Sequence, residues 1–491
     1  MKTRSYHIVW LAGIIGLLFT SGCKKQLDIN QNPNVPAVAN GTPSVVFPAG
    51  VFGTAAGVAG ELGIIGAIWG EYVTQSAFSN QYKTIDAYQI GTSDYNRGYR
   101  NLFANGLKNY QFVLDKSKET ANWNFYIMAA TMKAYTTQVL VDLYDQIPYF
   151  EALQGQAILA PKFDDGYSIY QDLLKLLDTA LSKPLNAAIL TPADKSADLI
   201  FKGDLDKWTR FANSMKMKLY LRMVNAKPQE AQAGIEKLYA DGAKFLNTDA
   251  ALTGFTNVKD KDNPMYEQNI RSLNTPDNLR ASVTFTSFLK EHNDPRIAYY
   301  FGSANPNAIH QGDYTGTDPN YKTSAVLKQN PTDPVVFMSA AESYFMQAES
   351  RERYFGGDGA KALYDQGVLA AFAETGEDGS SFIAPGGEYE YPTGPLEEKI
   401  KAISTQKWVA CAYGVHFLEG FFEKNRTGYP KTSSVYSTDP SYVAGEFVTS
   451  KNSVLGPGQL PKRLVFPLLE TQANPNAPAL VPITTPVWWA L

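Results

Sequence analysis

Hydrophobic residues recur at intervals of three and four in several long segments of this chain, the spacing that places them on one face of an α-helix. Four such stripes can be read from the sequence. Their apolar positions are Phe103, Leu107, Tyr110 and Leu114; Met128, Met132, Tyr135, Val139 and Leu143; Ile169, Leu173, Leu176, Leu177 and Leu181; and Leu205, Trp208, Ala212, Met215, Leu219 and Met223. We interpret these stripes as helix faces that pack into a core.

Two helical pairs are predicted in the second half of the chain. Ser339 and Glu342 have the spacing of a capping box at the start of a helix. The segment GGDG, 356–359, ends that helix because glycine adopts the left-handed conformation readily, and a second helical pattern resumes at Ala360. A further pair is predicted from Pro395 to Asn425. The size of such a pair matches a tetratricopeptide unit, so the predicted fold class is mainly α, a tetratricopeptide-like helical-pair scaffold.

Two regions lack helical periodicity. Residues from about 226 to 338 are rich in Asn, Asp, Thr, Pro and Tyr, and residues 427–491 contain nine prolines. Long irregular segments inside a globular chain are disordered or functional, and the frequent aromatic residues argue against disorder. We predict one binding domain, 43–491, in which the stretch 226–338 is a long loop-rich insertion on the helical scaffold.

The N-terminus has the pattern of a secretory signal peptide, residues 1–22. Lys2 and Arg4 precede an apolar run, 8–19, that is too short to span a bilayer, which needs about 20 residues. No later segment is expected to reach that length. Cys23 follows small residues, as in the bacterial lipobox, although Thr20 stands where that signal usually has Leu. We interpret Cys23 as the lipidation site and 23–42 as a tether; the alternative is an ordinary signal peptide with an incidental cysteine.

Composition and motifs narrow the function classes. The net charge of −4 gives no general attraction for nucleic acid. If Cys23 is acylated, Cys411 alone remains and no disulfide can form; we expect Cys411 to be buried. The chain has no metalloprotease, nucleophile-elbow or phosphate-loop motif. We therefore expect no catalytic residue, no metal and no cofactor.

Several acidic and histidine positions were considered for chemistry and disfavoured. The histidines after the signal peptide are widely spaced, and acidic pairs are usually solvated. The loop KDKDNP could offer oxygen ligands to calcium but lacks the EF-hand pattern. These positions are His292, His310, His416, Asp164, Asp165, Glu397, Glu398, Asp260, Asp262 and Asn263.

An ordered set of motifs carries a family resemblance. It comprises LDINQNPN after Cys23, VDLYDQIPYFEAL, DLIFKGDLDKWTRFANSMKMKLYLR, NDPR, ESYFMQAES, FFEKNRTGYP and PKRLVFP. With these motifs the chain resembles the SusD/RagB-type nutrient-binding outer-membrane lipoproteins over essentially its whole mature length. Asp145 stands where the family signature has Gly. The motifs mark helix packing and carry no catalytic residues.

The resemblance implies a function as well as a fold. It implies a lipid-anchored protein of the outer membrane, facing the cell exterior, that binds oligosaccharide nutrients and delivers them to a SusC-like TonB-dependent transporter barrel. The alternatives are a peptide-binding member of the same import system, a surface glycosidase and a purely structural lipoprotein. The peptide-binding member would not bind added oligosaccharide, and the glycosidase would cleave it. The structural lipoprotein would bind no ligand saturably.

Two aromatic-rich stretches lie where the family places its ligand contacts, 69–100 and about 299–321. Sugar recognition pairs flat aromatic rings with amide and carboxylate groups in a concave site. Trp69 has an alternative as a packing residue, because it follows an apolar helix-like run. The ligand-binding candidates are Trp69, Tyr72, Gln75, Phe78, Tyr82, Tyr88, Tyr95, Tyr99, Tyr299, Tyr300, Tyr314 and Tyr321.

Overall fold

The computed structural model describes residues 41–491, within which Pro43–Leu491 form a compact unit. The signal peptide, Cys23 and nearly all of the tether lie outside the described residues, so those assignments stay predictions. The α-helices are α1 Pro43–Ala59, α2 Glu61–Trp69, α3 Lys83–Asp86, α4 Asn96–Arg100, α5 Lys108–Glu119, α6 Trp123–Tyr144, α7 Gly166–Leu181, α8 Pro192–Ala197, α9 Leu205–Arg222, α10 Pro228–Ala240, α11 Pro264–Tyr266, α12 Val283–Glu291, α13 Arg296–Phe301, α14 Ala340–Tyr354, α15 Ala360–Ala373, α16 Ser380–Ile383, α17 Leu396–Ala410, α18 Phe417–Thr427 and α19 Leu468–Ala473.

The strands are three or four residues long and form two-stranded pairs that connect loops. β1 (Val73–Gln75) pairs with β5 (Leu279–Ala281), β2 (Gln146–Pro148) with β3 (Phe163–Asp165), and β4 (Ala250–Leu252) with β6 (Val335–Met338), all antiparallel. Two π-helical segments, Asn101–Leu107 and Glu267–Arg271, continue directly from α4 and α11. Single 3₁₀ turns occupy Gly155–Ala157, Leu185–Ala187, Pro319–Thr323 and Tyr413–Val415.

The helices pack as a row of neighbouring hairpins. α6 packs on α5, α7 and α9; α9 also contacts α10 and α14; α14 packs on α15 and α17; and α17 leads to α18, which returns to α2 near the start of the fold. The four apolar stripes read from the sequence lie on α5 with its preceding π-helical turns, α6, α7 and α9, and nearly all their side chains are buried. The predicted mainly α scaffold of helical pairs is confirmed.

At the start of α14, one of the two hydrogen bonds of the predicted capping box is present. The Ser339 hydroxyl accepts a hydrogen bond from the Glu342 backbone N–H at 3.0 Å, as an N-cap does. The Glu342 carboxylate, however, turns into the core, where it lies 2.7 Å from Lys218 Nζ and 2.9 Å from His416 Nε2. The GGDG segment after α14 has Gly356, Gly357 and Gly359 at positive φ, as predicted for a helix stop.

Buried ion pairs connect five of the helices at their centre. The charged groups are Asp142 of α6, Lys218 and Arg222 of α9, Glu342 and Glu349 of α14, Lys407 of α17, and Glu419, Glu423 and Arg426 of α18. Each is almost fully buried. Such charges are tolerated in a core only when they are paired and hydrogen-bonded, so the scaffold depends on the network remaining complete.

Two sequence-based expectations need correction. The stretch 226–338 is not uniformly irregular, because it contains α10 and α12; α10 buries only Ala231, Ile235 and Leu238, a stripe too narrow to stand out among its polar neighbours. In addition, Pro43–Trp69 is long and apolar enough to cross a membrane by length and composition, but 83% of its most apolar window is buried inside this fold. Such burial is typical of core helices.

Candidate functional site

The two aromatic-rich stretches meet in the structure. β1, from the first stretch, pairs with β5, which precedes α12, with Val73 opposite Ala281 and Gln75 opposite Leu279. Gly312 donates its N–H to the Thr74 hydroxyl at 2.9 Å. Segments separated by more than two hundred residues are thereby fixed side by side.

Gln311 is the buried polar group at this junction. Its amide nitrogen donates to the carbonyl of Ile68 at 3.2 Å and to Asp86 Oδ1 at 3.0 Å, and its amide oxygen accepts from the Ser282 hydroxyl at 2.9 Å. Its backbone carbonyl accepts from the Tyr436 hydroxyl at 2.7 Å. The first stretch, the insertion and the C-terminal loops therefore converge on one fully buried residue.

A cleft of about 410 Å³ opens where the C-terminal loops pass over this junction. One wall is the segment 433–436, and the other is the segment 449–458. The second wall is anchored from below, because Lys451 donates its N–H to the Gln311 carbonyl at 3.0 Å and Val454 donates to the Ala87 carbonyl at 2.9 Å. The cleft is thus built from loops but held on the helical scaffold.

Tyr436 and Lys451 face each other across the cleft. The Lys451 ammonium lies 5.1 Å from the centroid of the Tyr436 ring, a cation–π arrangement that holds the ring in place. The hydroxyl oxygen of Ser450, which also lines the cleft, is buried without a hydrogen-bond partner within the described residues. An unpaired buried hydroxyl is costly to the fold.

Next to the cleft, Tyr314 and Lys83 pair across the two stretches. The Lys83 ammonium lies 5.2 Å from the centroid of the Tyr314 ring. Asn452 connects this pair to the cleft wall by donating to the Gly312 carbonyl at 2.7 Å and contacting the Thr315 hydroxyl at 3.2 Å. A partly exposed aromatic ring, amides, hydroxyls and ammonium groups therefore share one surface.

Most of the predicted ligand-binding side chains are buried in the core. They are Trp69, Tyr72, Gln75, Tyr82, Tyr88, Tyr99, Tyr300 and Tyr321, all under a tenth exposed. This placement corrects the expectation of a stacking surface at these positions, because a ring covered by protein on both faces offers none to a sugar. Trp69, for example, packs on Tyr88 and Phe421 and donates its indole N–H to the Ile85 carbonyl at 3.1 Å.

The other predicted positions remain accessible but do not form one group. Phe78 is 57% exposed, Tyr95 and Tyr314 are half-buried, and Tyr299 is 37% exposed. Tyr299 lines a separate small cavity of about 70 Å³ beside Gln329 and Asn330, which shares no lining residue with the cleft. Of the predicted set, Tyr88 contacts the cleft wall from the core, because its hydroxyl accepts the Ser450 N–H at 3.3 Å, and Tyr314 precedes Thr315, which contacts Asn452.

The cleft residues themselves are not predicted from the sequence. Tyr436, Ser450 and Lys451 lie in the C-terminal region, for which the sequence predicts loops but no site. The signal was present in the segment KTSSVYSTDP, 431–440, which combines a tyrosine with several hydroxyl groups. Nothing in this segment indicates that Tyr436 contacts Gln311.

Buried ionisable groups lie directly under the cleft. Burial raises the pKa of Glu71 to about 8, against the hydrogen bonds that it accepts from Thr284 and Val448. Burial likewise raises the pKa of Asp86 to about 6, although Thr74, Gln75 and Gln311 donate to it. Burial lowers the pKa of Lys424 to about 7, with Glu71 acting in the opposite direction. These groups respond to pH near neutrality.

Four of the polar positions that are disfavoured for chemistry have structural partners. Asp164 accepts the backbone N–H groups of Tyr149 and Phe150, and Asp165 caps α7. In the KDKDNP loop, Asp262 pairs with Arg271 and Asn263 caps α11. Among residues 41–491, no group of three or more His, Cys, Asp or Glu residues is placed to hold a metal ion. Cys411 is a buried thiol, as expected.

The fold and the cleft define a class of protein: a mainly helical scaffold whose loops form a solvent-open cleft. A family profile, SusD-like_2, described as starch-binding proteins associating with the outer membrane, matches residues 66–447. The chain belongs to this SusD-like family, which confirms the resemblance read from its motifs. No functionally curated protein matches the chain.

Solved structures share the fold over nearly the whole chain. A SusD homologue from Bacteroides uniformis is 21% identical with a TM-score of 0.72, covering 91% of this chain and 99% of its own. A chitin-binding SusD homologue from Flavobacterium johnsoniae is also 21% identical with a TM-score of 0.72, and the match covers 90% of this chain and 98% of that protein. A SusD/RagB-family protein from Bacteroides thetaiotaomicron is 21% identical with a TM-score of 0.72, and the match covers 91% of this chain and 99% of that protein. At this identity the likeness establishes the fold.

Proposed function

We propose that this protein binds oligosaccharide nutrients in the cleft between 433–436 and 449–458 and delivers them to a SusC-like TonB-dependent transporter barrel. It would be held at the outer membrane, facing the exterior, by lipid on Cys23. The family's described association with starch and with the outer membrane supports this proposal. A similar fold is used by a chitin-binding protein, which supports a glycan as the ligand class.

The observation that carries the proposal is the combination of chemical groups on one surface. Tyr436 and Tyr314 offer aromatic ring surface, to which the apolar C–H faces of a sugar ring can stack. Ser433, Ser434 and Lys451 line the cleft and offer hydroxyl and ammonium groups that sugar hydroxyls bind. Asn452 carries an amide beside the cleft wall. Small-ligand sites are generally concave with a few fixed polar groups of this kind. Capture would need no bond to be broken, so we propose a binding protein and not an enzyme.

Isothermal titration of residues 24–491, which include the whole compact unit, tests this function. Maltohexaose, chitohexaose and xylohexaose are the probes, with a mixture of tryptic peptides for the peptide-import alternative. We expect saturable heat with at least one saccharide. The Tyr436→Ala variant should bind at least tenfold more weakly, because it loses the aromatic surface. Phe52→Ala is the matched control, since Phe52 is 50% exposed on α1, whose residues do not line the cleft.

The other outcomes separate the alternatives. Heat with the peptide mixture alone would assign the protein to peptide import. Shortened saccharide products after incubation would indicate a glycosidase. If no probe binds at millimolar concentration, capture by the cleft is contradicted. Delivery is tested separately, by asking whether the lipidated protein co-purifies from outer membranes with a TonB-dependent barrel; recovery without any barrel would contradict that part of the proposal.

A further inference from the structure

A second cavity, the helical groove, lies on the scaffold itself. Its volume is about 440 Å³, and it shares no lining residue with the cleft. Its walls come from the π-helical turns 101–107, from α5, α6 and α7, and from the segment 148–154 that follows β2. Neither the family description nor the sequence motifs assign a role to this groove.

Two aromatic rings form a right-angled corner at the edge of the groove. The rings of Tyr149 and Phe150 lie 5.1 Å apart at 80°, and Phe150 is 50% exposed. The backbone N–H groups of both residues donate to Asp164 Oδ2, at 3.0 and 2.9 Å. The corner is therefore fixed before any ligand arrives, which lowers the entropic cost of binding.

Polar groups in the groove are also held in place. Lys133 Nζ donates to Gln111 Oε1 at 2.8 Å and lies 5.2 Å from the centroid of the Tyr149 ring. The Gln111 amide nitrogen in turn donates to Asp115 at 2.9 Å. An ammonium has three N–H donors, so Lys133 retains donors for a ligand.

The carboxylates provide matching acceptors. Asp172 accepts the Tyr149 hydroxyl at 2.8 Å, and within residues 41–491 Asp115 accepts only the Gln111 amide, so both retain lone pairs. Donors and acceptors are thus interleaved within one groove. Such a set suits vicinal hydroxyl groups, each of which both donates and accepts, and the two carboxylates disfavour an anionic ligand.

The backbone of the groove departs from regular geometry at two places. Leu153 has a φ of 65°, in the left-handed region that non-glycine residues rarely adopt. The π-helical segment Asn101–Leu107 contributes Phe103 and Leu107 to the opposite wall. Both features are enriched at functional sites, and here they line the same cavity.

We infer that the helical groove is a second saccharide-binding site, which takes a neutral sugar unit stacked on Phe150 with its hydroxyls bound by Lys133, Asp115 and Asp172. The inference rests on the proposed function for its ligand class but uses different residues. A chain with two separate sites can hold one long glycan at two points or two glycans at once. Either arrangement raises the effective affinity for a polymer through multivalency.

Hydrogen–deuterium exchange of residues 24–491 with the same three hexasaccharides locates each site independently. We expect slower exchange in peptides that cover 148–154 as well as in peptides that cover 433–458. Protection of 148–154 should persist in Tyr436→Ala, because Tyr436 does not line the groove. Phe150→Ala should abolish this protection. Lys133→Met should raise the saccharide concentration that gives half-maximal protection at least tenfold. Phe52→Ala, matched to Phe150 in exposed fraction, should leave it unchanged.

Each other pattern has a defined meaning. Protection of 433–458 alone would overturn the second site and leave the proposed function standing. Protection of 148–154 alone would support the groove and contradict the cleft. Protection of neither segment at millimolar saccharide would contradict both. Protection of 148–154 by the tryptic peptide mixture and not by saccharides would overturn the saccharide assignment.

Discussion

The Glu71 carboxylate accepts the backbone N–H of Val448, at 3.0 Å to one oxygen and 3.2 Å to the other. Glu71 follows α2, and Val448 immediately precedes the cleft wall 449–458. The same carboxylate accepts the Thr284 hydroxyl at 2.6 Å, so one buried group joins the first helices, α12 and the C-terminal loops. The position of the cleft wall is therefore coupled to an ionisable group in the core.

This coupling predicts a pH dependence of stability. In the unfolded chain Glu71 ionises near its ordinary pKa of 4.5, whereas burial keeps it protonated in the fold up to about pH 8. The stabilising contribution is complete below pH 4.5 and is lost as the pH rises towards 8, by at most about 1.4 kcal/mol per pH unit. Glu71→Gln removes this titration, so wild type should lose unfolding free energy relative to the variant between pH 5 and pH 7.

Urea denaturation at pH 5, 6 and 7 measures the difference. Lys424 has the opposite effect, because its lowered pKa makes stability rise with pH above about 7, so the comparison stops there. Glu291→Gln is the control, since Glu291 is an exposed carboxylate. A parallel pH dependence in wild type and Glu71→Gln would contradict the assignment.

The helices were predictable because their signals are local. The stripe on α7, for instance, depends only on residues within one segment, and Ser339 caps α14 through a neighbour three positions away. Glu342 shows the limit of such reasoning. Its spacing from Ser339 fits a reciprocal cap, but its actual partners, Lys218 and His416, lie more than seventy residues away in sequence.

The candidate site was predictable only as a region. Tyrosine has an apolar ring and a polar tip, so it suits both cores and wet surfaces, and composition alone does not distinguish the two. Trp69 and Tyr72 became core residues because α17 and α18 pack over them. The cleft was missed because it is created by Gln311 meeting Tyr436, a contact across 125 residues that no local pattern encodes.

Tyr72 provides a direct test of the core assignment. Its hydroxyl donates at 2.8 Å to the carbonyl of Trp408, near the C-terminal end of α17, where carbonyls lack helical partners. Tyr72→Phe leaves this buried carbonyl unpaired and should lower the unfolding free energy by about 1–3 kcal/mol. The affinity for saccharide should stay within twofold of wild type by titration. A large loss of affinity at unchanged stability would instead restore Tyr72 to the ligand site.

Arg426 is predicted to be essential to the buried network. It forms hydrogen-bonded ion pairs with Glu349 and Glu423. Burial acts to raise the pKa of Glu349, but the guanidinium groups of Arg426 and Arg353 hold it below its ordinary value. Arg426→Met removes one cationic partner from each of two buried carboxylates, leaving Glu349 with Arg353 and Glu423 with Lys407, and should destabilise the fold by about 3–5 kcal/mol.

Thermal and urea denaturation, compared with Lys237→Ala, measure this effect. Lys237 pairs with Asp241 at the exposed C-terminal end of α10, so its loss should leave the denaturation midpoint nearly unchanged. Equal destabilisation by the two variants would show that the buried network contributes no more than a surface pair. A greater effect of Lys237→Ala would contradict the assignment outright.

Gly66 is predicted to set the closest approach of α2 to α18. A Cβ at this position would lie 2.6 Å from the backbone nitrogen of Leu418 and 2.9 Å from its Cα. Backbone atoms cannot move aside as a flexible side chain can, so Gly66→Ala should force the two helices apart and destabilise the protein by about 1–3 kcal/mol. Because α18 carries Glu419, Glu423 and Arg426, the shift should also disturb the buried ion pairs.

Gly91→Ala is the matched substitution in an exposed turn. A Cβ there would meet only Asp94, at an ordinary contact distance of 3.6 Å, and the change should alter stability by no more than about 0.5 kcal/mol. The midpoints of urea denaturation for the two variants decide the question. If Gly66→Ala and Gly91→Ala have the same midpoint, α2 and α18 have room to separate without cost, and the close approach does not position the network.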